Sequence, residues 1–475
     1  MAKPHMVTLG AGPAGVGAAF QLTRRDLASV TVLERSGGVG GNAGSFELAG
    51  LRVDYGSHRL HPTCAPHVLR DIRALLGDDL VTRPRHGRIR LGGRWIHFPL
   101  KPFDLLLRLP PGFAMSVMAD FMGKGLRRRP GPSDAQTFAS VLEARLGRAI
   151  CREFYFPYAR KIWGVSPGEL AVTQARRRVG ANSFGKLLRK LLTAFPAFGP
   201  RDPGRYFYYP RGGYGQISQA MFRAAEAVGA RFEFGATVRS VQREGQVVHA
   251  VAYEREGAVR TLAADHIWST IPVTILVRCL EPKAPDTLLE AAGRIEYRAM
   301  ILVYVVLEQD RFSEFDAHYF PESDIPISRL SEPKNYSGAG PPDRTVLCAE
   351  LPCAPSDPEW RMADDALGHL VCAALERAAI PVRAPVKEVI TRRLQQAYPI
   401  YREGYDAHFG RIDDYLSTFE NLLTFGRQGL FAHDNTHHAL YMAYAAADCL
   451  RADGRFDRDR WQAFRRVFDT HVVED

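Results

Sequence analysis

Near the C-terminus, three histidines and an aspartate lie within six positions of the stretch FAHDNTHHALYMA. His433 and His437 are four residues apart, a spacing that places two side chains on one face of a helix. Asp434 offers a third metal ligand, but no fourth ligand group follows nearby in the sequence. We therefore predict no metal site here, and we expect these residues to flank a larger site that the rest of the chain must define.

A glycine-rich stretch near the N-terminus has the spacing of a phosphate-binding turn. Residues 6–9 read as a buried strand, GxGxxG follows directly, and an alanine-rich run then reads as a helix. Glycines allow close approach of the backbone to a pyrophosphate, and the helix N-terminus supplies N–H donors. The residues predicted to contact the ligand are Gly10, Gly12, Pro13, Ala14 and Gly15.

The second predicted strand, SVTVLE, ends on Glu34, which lies 24 residues after Gly10. A carboxylate at this place accepts hydrogen bonds from the ribose hydroxyls of an adenine dinucleotide and repels the 2′-phosphate of NADP. Arg35 follows it and is placed in the same site. A second glycine cluster, followed by Asn42, then allows another close approach along an extended cofactor, which simple NAD dehydrogenases do not need. The pattern favours FAD over NAD, with contacts at Gly40, Gly41 and Asn42.

Length and composition indicate an ordinary globular enzyme with more than one lobe. The chain has 475 residues, 46% of them hydrophobic and 24% charged. The net charge of +10 comes from arginine, with 53 Arg against 9 Lys, which suits an anionic ligand but also fits a compositional bias. Seven scattered cysteines without CxxC predict a reducing, cytoplasmic setting. No signal peptide, membrane span or nucleic-acid partner is expected.

The order of predicted elements indicates interleaved domains in an α/β fold. We predict a Rossmann-type FAD-binding domain built from residues 1–100, 206–275 and 411–475. A helical domain is inserted at 101–205, and a strand-rich substrate lobe covers 276–410. Within these, GRIRLGGRWIHF predicts a hairpin with strands at 87–91 and 94–98, and RAMILVYVVLEQDRF begins the substrate lobe.

Two basic stretches in the helical part raise the question of a membrane surface. They are Lys186–Leu192 and Arg127–Arg129. Because the amphipathic pattern is short and flanked by prolines, we favour a solvated face over a hydrophobic core, with peripheral membrane contact as the alternative. The sequence indicates no oligomeric state.

Seven further stretches, in order along most of the chain, together resemble UDP-galactopyranose mutase and its relatives in the amine-oxidase-like FAD superfamily. Each one alone is a weak match, and the shared order makes the resemblance specific. The stretches are DYGSHRLHP, IHFPLKPFDLL, YARKIWGVSPGEL, RYFYYPRGGYGQISQAM, DIPISRLSEPKNYS, AYPIY and GRQGLF.

This resemblance implies roles for individual residues. His58 would pass the reactive edge of the flavin, Arg329 and Tyr398 would hold a substrate diphosphate, and Trp163 would lie nearest the substrate. An ion pair that buries Arg329 is the alternative for that residue. The helix after GRQGLF would direct its N-terminus at the flavin pyrimidine, with Asn435 or Thr436 as N-cap. The remaining cofactor contacts that it implies are Ser57, His58, Val238, Thr270, Gly426, Arg427, Asn435 and Thr436.

Departures from the mutase pattern leave the reaction open. No tyrosine lies near Leu351 in CAELPC, and Arg176–Arg178 replace a different arginine-containing segment. Three hypotheses follow. In the first, the flavin N5 performs mutase-like or redox chemistry on a sugar or sugar nucleotide. In the second, an oxidase or dehydrogenase abstracts a hydride from an amine, a natural product or an isoprenoid, and in the third the chain is a flavin-binding scaffold without activity. The first is preferred, with a small, diphosphate-bearing substrate as the expected ligand.

Overall fold

The structure is a computed structural model that describes residues 3–99, 108, 111–122, 137–178 and 206–473. Its strands in chain order are β1 (His5–Leu9), β2 (Ser29–Glu34), β3 (Ser45–Leu48), β4 (Leu51–Asp54), β5 (Leu80–Pro84), β6 (Gly87–Leu91), β7 (Arg94–Phe98), β8 (Tyr206–Pro210), β9 (Arg231–Phe234), β10 (Thr237–Glu244), β11 (Val247–Arg255), β12 (Ala258–Ala263), β13 (His266–Ser269), β14 (Leu280–Glu281), β15 (Glu296–Leu307), β16 (Ala317–Tyr319), β17 (Arg329–Ser331), β18 (Thr345–Cys353), β19 (Val386–Ile400) and β20 (Leu422–Thr424).

The helices in chain order are α1 (Pro13–Arg24), α2 (Pro66–Leu76), α3 (Pro111–Met122), α4 (Phe138–Leu146), α5 (Arg148–Ile150), α6 (Phe156–Trp163), α7 (Val172–Arg178), α8 (Gln216–Ala227), α9 (Val273–Leu276), α10 (Asp286–Gly293), α11 (Pro333–Ser337), α12 (Asp364–Arg377), α13 (Tyr405–Ser417), α14 (Gly426–Gly429), α15 (Thr436–Cys449) and α16 (Arg458–Phe468). A π-helical turn, Cys151–Tyr155, joins α5 to α6.

A five-stranded parallel sheet forms the nucleotide-binding part of the fold. Its strand order is β20-β13-β1-β2-β9, so strands from four distant stretches of the chain lie side by side. Parallel strands covered on both faces are apolar without alternation, and β1 and β2 are buried along nearly their whole length. Helices α1, α8 and α15 pack together over one face. The predicted α/β fold of Rossmann type is confirmed.

A seven-stranded, largely antiparallel sheet forms the second large layer, with the order β19-β15-β18-β17-β16-β6-β7. Strand β15, which lies between β19 and β18, is buried over nine consecutive residues, since side chains of both its faces are covered. The predicted hairpin is confirmed as β6 and β7, and β15 to β19 lie in the stretch for which a strand-rich lobe was predicted. The division into domains stays a prediction. A four-stranded sheet, β12-β11-β10-β14, lies between the two parts along the chain.

Helices α3 to α7 belong to the predicted helical segment, and α4 to α7 pack together. They share a core in which Phe138, Leu142, Ile162 and Trp163 are buried. The basic stretches Arg127–Arg129 and Lys186–Leu192 lie outside the described residues, so the two hypotheses for them stay predictions. Among the described helices, none has both the length and the apolar content that a bilayer crossing requires. All seven cysteines are free thiols.

Candidate active site

The turn between β1 and α1 forms a backbone cradle. Gly10 has a φ of +94°, a conformation that favours glycine, and its N–H donates to the carbonyl of Leu33 at 2.8 Å. A Cβ on Gly15 would lie 1.9 Å from the carbonyl oxygen of Gly10, so no side chain fits there. A Cβ on Gly12 would meet no protein atom within 4 Å, because Gly12 lines a cavity. The backbone is therefore open to a ligand at Gly12 and tightly packed at Gly15.

Glu34 ends β2 beside this turn and is buried. Its Oε2 accepts the N–H of Ala11 at 2.7 Å, and its Oε1 accepts both the N–H and the hydroxyl of Ser36 at 2.8 Å. The carboxylate thus fixes the phosphate-binding turn to the loop after β2. Oε2 has a second lone pair, so Glu34 keeps acceptor capacity at this oxygen for a ribose hydroxyl at the cavity wall.

The second glycine cluster packs directly on the first. The N–H of Gly40 donates to the carbonyl of Ala11 at 2.8 Å, and a Cβ on Gly41 would lie 3.3 Å from the Cα of Gly12. Asn42 donates from its amide to the carbonyl of Gln396 at 3.2 Å. Two glycine loops therefore form adjacent walls of one cleft, as an extended cofactor requires.

These loops open into a cavity of about 1250 Å³ that also reaches the seven-stranded sheet. Of the site residues predicted from the sequence, the cavity is lined by Gly10, Gly12, Pro13, Ala14, Glu34, Arg35, Gly41, Asn42, Ser57, His58, Val238, Thr270, Arg329, Tyr398, Arg427, Asn435 and Thr436. Gly15, Gly40, Gly426 and Trp163 are not among the lining residues. Gly426 instead supports the wall, since a Cβ there would lie 2.7 Å from the Cβ of Ala14.

His58 is held as a neutral imidazole at the cavity wall. Its Nε2 lies 2.9 Å from the carbonyls of both Asn42 and Tyr55, so Nε2 carries the proton and donates to them. Burial lowers the pKa of His58, and the charge of Asp54 only partly opposes this effect. The ring also stacks on Tyr214 with centroids 5.2 Å apart. In this tautomer Nδ1 carries a lone pair and acts as an acceptor or base.

Arg329 forms an ion pair with Glu350, which lies directly opposite it across β17 and β18. Both Nε and Nη2 of Arg329 donate to Oε1 of Glu350, at 3.0 and 2.8 Å, and the N–H of Ser57 donates to the same oxygen at 2.9 Å. The ion-pair alternative for Arg329 is thus present in the structure, and the pair still lines the cavity.

Tyr398 and His433 form an aromatic wall of the cavity. Their ring centroids are 5.0 Å apart, and the guanidinium of Arg427 lies 5.2 Å from the Tyr398 ring. Arg427 donates to the carbonyl of Ala397 at 2.6 Å, which orients it across this wall. Trp163 packs edge-on against His433 at 6.5 Å, behind the lining residues. The structure therefore places Trp163 in a supporting position rather than on the surface of the cavity.

The C-terminal histidines separate into two environments. His433 belongs to the aromatic wall, whereas Asp434, His438 and His471 bring their ligand atoms within 4.8 Å of one another. The rings of His438 and His471 are stacked, with centroids 4.1 Å apart and an angle of 13° between planes. The lone pair of a ring nitrogen lies in the plane of its ring. Because the two stacked rings are nearly parallel, their lone pairs lie in two separate planes and do not point at one common ion. This geometry disfavours a metal ion.

The N-terminus of α15 reaches the cavity at Asn435 and Thr436. Asn435 is the N-cap, and its N–H donates to Nδ1 of His438 at 3.3 Å. The positive end of the helix dipole and the unpaired N–H groups of the first turn thus face the cavity. Such an end stabilises negative charge on a ligand.

Comparison with known proteins decides which extended cofactor these loops hold. The family model described as flavin-containing amine oxidoreductase matches residues 13–448. The chain belongs to the flavin-containing amine oxidoreductase family. It is an enzyme of that family, and its cofactor is FAD. The residues fit this cofactor because the two glycine loops offer open backbone and Glu34 keeps acceptor capacity.

Members and structural relatives differ in their chemistry. The structure is similar to that of reduced UDP-galactopyranose mutase, with a TM-score of 0.82 and 19% identity over 99% of this chain and 100% of the other. It is also similar to a putative protoporphyrinogen oxidase from Exiguobacterium sp. 255-15, with a TM-score of 0.71 and 18% identity over 94% and 98% of the two chains. Identities this low show the shared fold alone.

The chain is also similar in sequence to a characterised relative. Phytoene dehydrogenase from Streptomyces griseus is 26% identical over 289 residues, which cover 53% of this chain. The match spans about half of the relative's length, 52%. Neither it nor the structural relatives define the substrate of this protein.

The structure adds cavity residues that the sequence did not single out. Glu350 lies in CAELPC, where a tyrosine was sought and an acid is present. Arg59 follows His58, and its guanidinium is buried between Asp316 and the hydroxyl of Tyr319, at 3.1 and 3.0 Å. A buried strand with one acid, and an arginine inside the histidine loop, are signals that could have identified both. Other additions include Tyr158, Trp360, Arg392 and Arg393.

Proposed function

We propose that this flavoenzyme acts through the flavin N5 on a sugar nucleotide or related diphosphate-bearing substrate, by mutase-like chemistry. The observation that carries the proposal is the charge of the cavity wall. Six arginines and three carboxylates line it among the described residues, and no lysine does. A cationic wall attracts an anionic substrate and repels a protonated amine. Guanidinium groups also match the geometry of phosphate oxygens.

The Arg329–Glu350 pair supports a diphosphate subsite at the sheet. Glu350 orients the guanidinium through two hydrogen bonds to one oxygen, and both residues of the pair line the cavity. Tyr398 lies on the same cavity wall, supported by the Arg427 guanidinium. We propose that Arg329 and Tyr398 bind the diphosphate while Glu350 fixes the position of Arg329.

His58 has the features of a residue that holds the reacting groups in place. FAD, when bound, supplies N5 either as a nucleophile in the reduced cofactor or as a hydride acceptor in the oxidised one. His58 is neutral, donates from Nε2 to two carbonyls, and keeps Nδ1 as an acceptor. We propose that it accepts a hydrogen bond at the reactive edge and remains uncharged during the reaction.

A second candidate is net oxidation of an uncharged substrate by hydride transfer. The match to phytoene dehydrogenase favours it, since that relative's name specifies removal of hydrogen from a hydrocarbon. Ile162, Tyr158 and Trp360 supply apolar surface in the cavity. The arginine content of the wall argues against this candidate, because burying charged guanidinium groups beside a hydrocarbon is costly.

An anaerobic experiment separates the reaction classes. The purified holoenzyme is reduced with dithionite and incubated with UDP-sugars, and the oxidised holoenzyme is mixed with amines and isoprenoids while the flavin absorbance is followed. Interconversion of sugar isomers only in the reduced enzyme supports the proposal. Bleaching of the oxidised flavin by an isoprenoid or amine contradicts it and supports the second candidate.

Substitution of Arg329 tests the diphosphate subsite. We expect Arg329→Ala to weaken UDP binding about 10- to 100-fold, since a hydrogen bond to a charged group contributes about 1.5–3 kcal/mol. Binding is measured by calorimetry on the holoenzyme. Arg239→Ala is the matched control, because Arg239 pairs with Glu254 on an exposed sheet. Equal UDP affinity in wild type and Arg329→Ala would contradict the proposed substrate class.

A further inference from the structure

A buried carboxylate lies immediately before the helix that faces the cavity. The Asp434 side chain has 0% exposure and precedes the N-cap of α15. Nη1 of Arg177 lies 3.0 Å from its Oδ1, and Nδ1 of His471 lies 3.3 Å from its Oδ2. We call Arg177, Asp434 and His471 the charge clamp. Its three members come from α7, from the residue preceding the N-cap of α15 and from the segment after α16.

The clamp also positions the chain around the cavity. The N–H of Val473 donates to the carbonyl of Arg177 at 2.8 Å, and Val473 itself lines the cavity. His471 stacks on His438, whose Nδ1 accepts the N–H of Asn435 at the N-cap. Distant segments therefore meet at the helix end that faces the cavity, and the clamp residues join them.

Asp434 is ionised in this environment. Burial raises the pKa of its carboxyl, but the hydrogen bond from His471 and the charge of Arg177 hold that pKa below its ordinary value. Burial lowers the pKa of His438 to about 4, so this neighbour adds no charge at neutral pH. A fixed negative charge thus lies at the positive end of α15, with the Arg177 cation opposing it.

We propose that the charge clamp sets how readily the flavin is reduced. Asp434 and Arg177 place opposing fixed charges at the end of α15 that faces the cavity, and His471 holds Asp434 in position through its hydrogen bond. A reduced flavin carries more negative charge than an oxidised one. Asp434 therefore disfavours reduction and Arg177 favours it. The inference concerns the cofactor and is independent of the proposed substrate.

Charge-changing variants of the holoenzyme test this directly. We expect Asp434→Asn to raise the ratio of reduced to oxidised flavin at a fixed applied potential by about tenfold, and Arg177→Gln to lower it by a similar factor. The ratio is measured by anaerobic spectroelectrochemistry. Opposite signs are the signature of fixed charges, whereas a purely structural role moves both variants in one direction.

Two further variants extend this experiment: the double variant and a control in a comparable ion pair. Arg177→Gln combined with Asp434→Asn restores neutrality, so we expect its ratio to return to within about threefold of the wild type. Asp413→Asn is the control, since Asp413 forms a comparable pair with Arg465 at 2.7 Å that does not line the cavity. We expect no change of the ratio in that control.

His471→Phe keeps the ring and removes the hydrogen bond to Asp434. We expect a smaller rise of the reduced-to-oxidised ratio and faster release of FAD in urea. Unchanged ratios in both single charge variants, or shifts of the same sign, would overturn the proposal. If the single variants lose FAD on purification, retention of FAD by the double variant supports it, and loss of FAD there as well overturns it.

Discussion

The two ends of the cavity are built by different means. At the dinucleotide end, main-chain groups form the walls: Gly10, Gly12 and Gly41 approach one another through backbone, and Glu34 joins the two loops. At the sheet end, side chains form the walls, and Arg329 with Glu350 is the central pair. The first end depends on the absence of side-chain atoms, and the second depends on charge balance between side chains. They should therefore respond differently to substitution.

The largest effect is expected at Gly15, where one methyl group closes the backbone end. Gly15→Ala would place a Cβ 1.9 Å from the Gly10 carbonyl oxygen, so the turn must shift. We expect the variant to purify without FAD, measured by the flavin absorbance of the pure protein.

Gly410→Ala in α13 is the control for this substitution, since a Cβ there meets no atom within 4 Å. An alanine in a helix should stabilise the fold by about 0.5–1 kcal/mol relative to glycine. Full FAD content in Gly15→Ala would show that the dinucleotide end of the cavity tolerates a shift of its backbone. It would contradict the expectation that this end depends on the absence of side-chain atoms.

Next in size is Glu350→Gln, which breaks the charge balance of the side-chain end. Arg329 is left without its counter-ion in a largely buried position, which should cost about 3 kcal/mol of unfolding free energy. The glutamine oxygen still accepts the N–H of Ser57, so FAD should be retained. Urea denaturation and FAD release are measured on the same protein.

Glu254→Gln is the matched control, because the Arg239–Glu254 pair is exposed and should contribute about 0–1 kcal/mol. If Glu350→Gln is less stable than the wild type and also releases FAD more readily, the two ends of the cavity are not independent.

A smaller effect concerns acid stability near α15. Burial and neighbouring histidines lower the pKa of His437 to about 2, and neither of its ring nitrogens has a hydrogen-bond partner among the described residues. Below pH 6.5 the unfolded chain therefore binds a proton that the folded chain does not, and the unfolding free energy falls as pH falls.

His437→Leu removes this contribution. Between pH 6 and 4 its unfolding free energy should fall less steeply than that of the wild type, by about 1.4 kcal/mol per pH unit well below the ordinary pKa. Urea denaturation at several pH values measures both slopes. Parallel slopes in the two proteins would show that His437 is protonated in the fold, contrary to this expectation.

The smallest effect is expected for Tyr398→Phe, which keeps the ring under the Arg427 guanidinium and removes the hydroxyl. If the hydroxyl contacts a diphosphate, UDP binding should weaken about fivefold, the equivalent of about 1 kcal/mol. FAD affinity should be unchanged. Calorimetry with UDP on the holoenzyme measures the difference, and equal affinities would confine the diphosphate contact to arginine.

The two ends of the cavity also differ in how far the sequence predicts them. The dinucleotide end could be predicted because its requirements are local: glycine spacing, a strand before it and a helix after it occupy one short stretch. Glu34 could be predicted as a ribose-binding carboxylate because it ends the second strand of this unit, 24 residues after Gly10. Fold class and cofactor were predicted from these features together with the order of seven short motifs, and both are confirmed. The roles of the individual residues stay predictions.

The side-chain end could be predicted only in part. Arg329 was identified by resemblance, but its partner Glu350 depends on the register between β17 and β18, which places the two residues opposite each other. Register reflects packing over whole sheets and is not encoded in a short stretch. Trp163 was expected nearest the substrate, yet the packing of α6 places it behind His433.

The C-terminal histidines show the limit most directly. The sequence by itself determined the helix and the flavin-binding character of the chain, because capping and glycine turns are short-range. It limited the N-cap to Asn435 or Thr436, and the structure shows Asn435. Only the tertiary structure brought His471 and Arg177 to Asp434, from segments 37 and 257 residues away. A buried carboxylate needs partners, and the folded chain supplies them from wherever the packing of distant helices places them.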